Sequence, residues 1–112
     1  MKKVMWFILD SVGIGGAPDA AAFGDVGSDT LGHIAEWFIE NEGRALALPN
    51  LEKLGLGEAY RLVHGSLPAG WKKVETTGYF AAASEVSTGK DTPSGHWELA
   101  GVPARWDWGY FP

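Results

Sequence analysis

Asp10 and Thr92 are the two residues whose chemical types and positions in the sequence could take part in chemistry. Asp10 directly follows an unbroken apolar run at residues 4–9, and the end of a buried strand is where open α/β sheets bind ligands. An unpaired charge is costly to bury, and hard divalent cations take carboxylate oxygens as ligands. We therefore interpret Asp10 as a candidate metal ligand. The alternative is an Asp that accepts backbone N–H bonds from its own loop.

Thr92 stands before Pro93 in a pattern that predicts the start of a helix, with Thr92 as N-cap and Pro93 as the first helical residue. The positive end of the helix dipole and its free backbone N–H groups suit a phosphate, and Lys90 adds a nearby cation. Threonine is a weak nucleophile unless a metal or base activates it, and Asp10 indicates where such a metal would bind. The alternative is a purely structural helix cap.

The glycine-rich residues 13–16 and the three histidines carry weaker signals. The glycines fit neither the dinucleotide-binding pattern nor the phosphate-binding loop with its lysine, so we interpret them as residues that let the chain turn sharply. His33, His64 and His96 share no metal-ligand spacing. We interpret each as a structural residue that forms hydrogen bonds.

Two apolar segments predict the strands that must position these residues. Residues 4–9 are continuously apolar without alternation, which is typical of a strand buried on both faces of a parallel sheet. Residues 78–85 predict a second strand. With helical segments between them, the sequence predicts an α/β fold with a mostly parallel sheet flanked by helices.

The predicted helices lie between those strands and after them. Residues 18–23 predict a short helical turn. Residues 28–30 predict the N-cap of a longer helix, which has apolar residues at helical spacing and ends near residues 42–43. Residues 49–55 predict a short helix with Pro near its start and Gly at its end. Residues 57–75 show no clear period, and we predict a loop there.

Composition excludes several classes of function. The 112 residues carry a net charge of −5 with 14 acidic and 9 basic side chains, which argues against nucleic acid and anionic membranes as partners. The absence of cysteine excludes disulfides, thiolate zinc sites and a cysteine nucleophile.

The six-residue apolar run is too short for a signal peptide or a membrane span, so we expect a cytoplasmic protein. The Trp-rich end of the chain is interpreted as packing rather than as a base-stacking platform.

Three motifs together resemble one enzyme family. FILDSVGIG at residues 7–15, FGDVGSDTLGHIAE at 23–36 and GKDTPSGHWE at 89–98 are similar to the N-terminal part of the phosphopentomutases, which belong to the alkaline phosphatase superfamily. The resemblance extends over residues 3–112 and is weakest over 58–75.

The resemblance implies an enzyme that moves a phosphoryl group between C1 and C5 of ribose or deoxyribose. It implies two divalent metal ions, manganese above all, with Asp10 as a ligand of one of them. It implies that Thr92 carries the phosphoryl group and approaches the metals. A pentose phosphate as substrate and a sugar bisphosphate as activator follow from the same resemblance.

Phosphopentomutases are several times longer than this chain, and they take their other metal ligands from the C-terminal half. We therefore expect residues 1–112 to form an incomplete N-terminal segment of the metal-binding core domain, without the cap domain and the C-terminal half. Such a segment is expected to be inactive alone and prone to self-association. Two alternatives remain: another phosphatase or phosphoglycerate mutase of the superfamily, and a non-catalytic remnant that binds a partner through its aromatic face. Residues 90–98 favour the mutase.

Overall fold

The computed structural model describes residues 1–110, and helices form all the regular secondary structure within them. A 3₁₀ helix at Ala20–Phe23 precedes α1 (Thr30–Glu42), α2 (Pro49–Leu54), α3 (Leu56–His64) and α4 (Thr92–Leu99). The predicted helical turn and the first two predicted helices are confirmed. Over the described range, none of the helices has the length and apolarity needed to cross a bilayer.

Helix α1 begins and ends at the residues that the sequence predicts. The Asp29 side chain caps the helix by accepting a 3.0 Å hydrogen bond from the Gly32 N–H, and Gly43 ends it with a φ of 63°. Leu31, Gly32 and Ala35 form its buried face. A glycine is required at position 32, because a Cβ there would overlap the Asp29 carboxylate.

The loop predicted for residues 57–75 is wrong over residues 57–64, which belong to α3. The apolar residues Leu56, Ala59, Tyr60 and Val63 recur at helical spacing, so the sequence does contain the helical period, although Gly57 and Glu58 also lie on the buried face. The ring of Trp71 packs where a side chain at Gly57 would stand. Glu58 is paired with Arg61 at 2.6 Å on the same helix.

Neither predicted strand is formed within residues 1–110, so the described part of the chain does not confirm the predicted parallel sheet. A strand is stabilised by hydrogen bonds and side-chain contacts with a neighbouring strand, and the described residues provide no such neighbour for residues 4–9 or 78–85. The first segment is open to solvent instead: Val4 is 93% exposed and Phe7 is 78% exposed.

The core is small for a chain of this length. The buried hydrophobic residues are Leu31, Ala35, Ala59, Tyr60, Trp71 and Ala104. The accessible surface is 8396 Å², against about 6000 Å² for a folded monomer of this mass. The radius of gyration is 15.8 Å, against about 13 Å for a compact domain of similar length. The molecule is therefore open, with much of its apolar surface in contact with water.

Candidate active site

Asp10 and Thr92 line the same cleft, although they lie near opposite ends of the sequence. The cleft has a volume of about 610 Å³ and is lined by residues 8–11, residues 83–85 and one side of α4 with its cap Asp91. Both side chains belong to exposed residues. The structure thus places the two predicted site residues at one surface.

Asp10 lies at a tight turn. The Val12 N–H donates to the Leu9 carbonyl at 3.3 Å, and the Ser11 N–H donates to Asp10 Oδ1 at 3.1 Å. The loop-capping alternative for Asp10 therefore holds for one of its carboxylate oxygens. Ser11 has a φ of 60°, which costs a non-glycine residue of the order of 1 kcal/mol or more. Surrounding contacts must hold this turn in place.

Asp91, not Thr92, is the N-cap of α4, which corrects the sequence prediction. Asp91 Oδ1 accepts a 2.9 Å hydrogen bond from the Ser94 N–H, and the Ser94 hydroxyl completes a capping box. Thr92 is the first residue inside the helix and Pro93 the second. The hydrogen bonds from the Ser94 N–H and from the Trp108 indole hold the pKa of Asp91 below its ordinary value. An ionised carboxylate is the stronger cap, since it also opposes the helix dipole.

The predicted phosphate cradle at the start of α4 is not formed. Pro93 has no N–H, and the Ser94 N–H is occupied by Asp91. The Asp91 carboxylate already occupies the positive end of the helix dipole. A phosphate at Thr92 would therefore find few free backbone donors here, and it would meet a negative charge.

Lys90 does not supply a free cation to Thr92, contrary to the sequence prediction. Its side chain is only 9% exposed, and its ammonium lies 3.2 Å from Asp19 Oδ2 and 3.7 Å from Glu85 Oε2. The same group donates a 2.7 Å hydrogen bond to the Ser87 carbonyl. Its charge is thus balanced by the carboxylates of Asp19 and Glu85.

Glu98 anchors α4 from the far end of the cleft, and the sequence analysis missed this role. Its carboxylate accepts hydrogen bonds from the Val86 N–H at 2.9 Å and the Ser87 N–H at 2.8 Å. The Ser87 hydroxyl donates to it as well. The bonds from the Ser87 hydroxyl and the Val86 N–H hold the pKa of Glu98 below its ordinary value. The spacing of Ser87 and Glu98 gives no recognised motif, so only the structure identifies the pair.

Glu85 is a second carboxylate in the wall of the cleft, and its environment is the opposite of that of Glu98. Its Oε1 is buried without a hydrogen-bond partner in the described structure. Burial raises the pKa of Glu85 above its ordinary value, although Lys90 acts against that shift.

His64 and His96 both bond to backbone carbonyls, as predicted for structural histidines. His96 Nδ1 lies 2.8 Å from the Thr92 carbonyl and His64 Nε2 lies 2.8 Å from the Ile14 carbonyl. A carbonyl oxygen only accepts, so each of these nitrogens carries the proton. In neutral His96, which lines the cleft, the unprotonated nitrogen is therefore Nε2.

Asp10 and Thr92 fit a divalent cation in chemical type, since both offer the oxygen ligands that hard cations prefer. Residues 1–110 contain no group of three or more His, Cys, Asp or Glu side chains arranged to hold a metal. The described residues therefore supply a partial ligand set.

The chain belongs to the Metalloenzyme superfamily, whose sequence profile matches residues 2–89. Over its full length it is 60% identical to the phosphopentomutase of Sinorhizobium fredii and 58% identical to that of Chromohalobacter salexigens, and it covers 30% and 27% of those proteins. Over 99% of its length it is 55% identical to the phosphopentomutase of Idiomarina loihiensis, of which it covers 28%. It thus spans less than a third of the length of these relatives, along their N-terminal part. No solved structure matches the chain significantly.

Proposed function

We propose that this chain supplies Thr92 as the phosphoryl-accepting residue and Asp10 as a metal ligand of a phosphopentomutase. The observation that carries the proposal is that both side chains line one cleft in a chain 55–60% identical to phosphopentomutases over almost its whole length. Residues 1–112 are then the N-terminal segment of the metal-binding core domain. In the complete protein, residues 4–9 and 78–85 would form strands of a parallel sheet.

The proposed reaction uses the Thr92 hydroxyl twice. Phosphothreonine gives its phosphoryl group to the free hydroxyl of a pentose phosphate, which forms a ribose or deoxyribose bisphosphate. The Thr92 oxygen then attacks the other phosphorus of that bisphosphate, and the bond from phosphorus to the sugar oxygen breaks. Thr92 is phosphorylated again, and the phosphate has moved between C1 and C5. A sugar bisphosphate activator would phosphorylate Thr92 for the first cycle.

The residues around Thr92 hold it in position. They do not supply a free positive charge that would compensate the negative charge of a phosphoryl group on Thr92. Asp91 and Glu98 fix the two ends of α4, and Lys90 is paired elsewhere. When bound, two divalent cations, manganese in our proposal, would lower the threonine pKa and compensate the charge on the phosphoryl oxygens. Asp10 and Thr92 are the residues of this chain that would hold them, with further ligands from the rest of the protein.

A chimeric enzyme tests the proposal. Residues 1–112 replace the matching N-terminal part of the Sinorhizobium fredii phosphopentomutase, and the conversion of ribose 1-phosphate to ribose 5-phosphate is measured with manganese present. We expect turnover in the chimera, none above background in Thr92→Ala, and reduced turnover in Thr92→Ser, which keeps the hydroxyl. Thr77→Ala, an exposed threonine outside the cleft, is the matched control and should behave as the parent.

Two results would contradict the proposal. Turnover in Thr92→Ala close to that of the parent would show that the nucleophile lies elsewhere. Hydrolysis of phosphate esters by the chimera without mutase activity would favour another phosphatase of the superfamily.

A further inference from the structure

We infer that Asp29, Tyr60 and His64 form a positioning network that holds the Asp10 loop, residues 10–14, against the start of α1 and the end of α3. The inference rests on the proposed function, in which Asp10 is a metal ligand. None of the three residues lines the cleft, so each would act on the site through the backbone of this loop.

The loop is held through its carbonyl groups. The Thr30 hydroxyl donates to the Ser11 carbonyl at 3.4 Å, and the Leu31 N–H donates to the Gly13 carbonyl at 3.1 Å. Both donors belong to the first turn of α1. The Ile14 carbonyl accepts from His64 Nε2 at 2.8 Å, so the loop is fixed from two different helices.

His64 approaches the loop closely because Gly15 leaves room for it. A Cβ at Gly15 would come within 3.0 Å of Val63 Cγ1 and 3.3 Å of His64 Nε2, and Gly15 has a φ of 134°. Glycine at position 15 therefore allows the backbone of the glycine-rich segment to come close to α3.

Asp29 connects the two helices that hold the loop. Its Oδ1 caps α1, and its Oδ2 accepts a 2.6 Å hydrogen bond from the Tyr60 hydroxyl on α3. His64 Nε2 lies 3.6 Å from the same Oδ2. The His64 ring is stacked on the Tyr60 ring, with centroids 4.1 Å apart, and this contact holds the imidazole in line with the Ile14 carbonyl.

The Tyr60 hydroxyl remains a donor at any physiological pH. Burial, followed by the hydrogen bond to Asp29, raises the pKa of Tyr60 to about 12. The bond between α1 and α3 therefore does not depend on pH in the range where the protein would work.

The geometric part of the inference is tested by hydrogen–deuterium exchange on the 112-residue chain. His64→Leu removes the donor to Ile14, and we expect backbone amides in residues 10–16 to exchange about tenfold faster, the effect of losing one hydrogen bond in a local opening. His64→Gln places an amide donor near the position of Nε2 and should restore most of the protection. His33→Gln, an exposed histidine on α1, is the control and should change nothing in this loop.

The functional part is tested in the chimera through the manganese concentration that gives half-maximal activity. We expect that concentration to rise about tenfold in His64→Leu, as for other residues that orient a metal ligand, and to return toward the parent value in His64→Gln. Tyr60→Phe keeps the ring stack and loses the bond to Asp29. Its half-maximal manganese concentration should lie between those of His64→Leu and His64→Gln. Turnover at saturating manganese should change little in all three variants.

Two outcomes would overturn the inference. One is unchanged exchange of residues 10–16 in His64→Leu. The other is a lower melting temperature with an unchanged manganese requirement, which would make the network purely structural. A parent chimera without activity would instead count against the proposed function, and the exchange experiment would then decide alone whether the network holds the loop.

Discussion

The buried hydroxyl of Ser87 donates a hydrogen bond to Glu98 Oε2, and this contact joins the segment before α4 to the last turn of that helix. The same hydroxyl accepts the Ala104 N–H at 3.0 Å. Ser87 and Glu98 thus link three segments of chain around α4. The position of Thr92 at the other end of the helix depends on this link.

The Glu98 contacts predict a loss of stability in acid. Because they favour the ionised carboxylate, the pKa of Glu98 in the folded chain lies below its ordinary value. The stabilising effect of the ionised Glu98 carboxylate is complete above the ordinary pKa of about 4.3. It is lost as the pH falls through the lowered pKa. Tryptophan fluorescence followed from pH 7 into acid should report this loss, since Trp97, Trp106 and Trp108 pack together with centroids about 6 Å apart.

Glu98→Gln should weaken the acid transition and lower the stability at neutral pH by about 1 kcal/mol. Glu40→Gln, at an exposed position on α1, is the control. Glu85 acts in the opposite direction, because burial raises its pKa. Its contribution to stability is complete below its ordinary pKa and is lost as the pH rises through the raised pKa. An acid transition of equal size in Glu98→Gln and the parent would show that another carboxylate is responsible.

Thr92→Ala is predicted to leave the fold almost unchanged, because Asp91 and not Thr92 caps α4. The change in unfolding free energy should be within about 0.5 kcal/mol, as for other exposed positions. Asp91→Ala should lower the melting temperature clearly more, and Asp91→Asn should recover part of the loss, since Asn is also a good N-cap. Equal losses in Thr92→Ala and Asp91→Ala would contradict this assignment of the cap. Melting curves by circular dichroism provide the measurement.

The sequence predicted where most helices begin and end, because these signals are local. Asp29 before Leu31, and Gly43 and Gly55 after apolar segments, specify caps through the conformations those residues prefer. Helix α3 was predictable as well, since Leu56, Ala59, Tyr60 and Val63 recur at helical spacing, although Gly57 and Glu58 also lie on its buried face. The strand at residues 4–9 was predicted from apolar content alone, but a strand also needs a partner, which residues 1–110 do not provide.

The candidate site was predictable in its chemical types but not in its arrangement. Asp10 and Thr92 were identified from their settings at the ends of predicted elements, and they do line one cleft. The pairing of Lys90 with Asp19, and the contact of Ser87 with Glu98, depend on tertiary packing. No spacing in the sequence indicates them.

The 112-residue chain is predicted to bind manganese weakly by itself. Tight sites for divalent cations use several ligands, and the described residues hold no group of three or more candidate side chains. Titration calorimetry at neutral pH should give a shallow isotherm, and Asp10→Asn should weaken it further. A tight isotherm with two ions would show that this chain carries a complete ligand set.

The isolated chain is also predicted to self-associate through residues 4–9. Their side chains form a continuous exposed apolar run, and such surfaces favour association. Sedimentation velocity should show a mass that increases with concentration, and Phe7→Lys should reduce this increase. Val26→Lys, at a residue that is 76% exposed outside the run, is the matched control. A monomer at every concentration would contradict the prediction.

The most direct test of the proposed role of Thr92 is the mass of the peptide that contains it. The chimera with manganese is incubated with a ribose bisphosphate, quenched in acid, digested and examined by tandem mass spectrometry. We predict one added phosphoryl group located on Thr92. When both phosphates of the bisphosphate carry an isotope label, excess unlabelled ribose 5-phosphate added before quenching should replace the labelled phosphoryl group on Thr92 by an unlabelled one. A phosphoryl group on Ser94 or on another residue, or continued turnover without any phosphorylated peptide, would contradict the assignment of Thr92 as the phosphoryl-accepting residue.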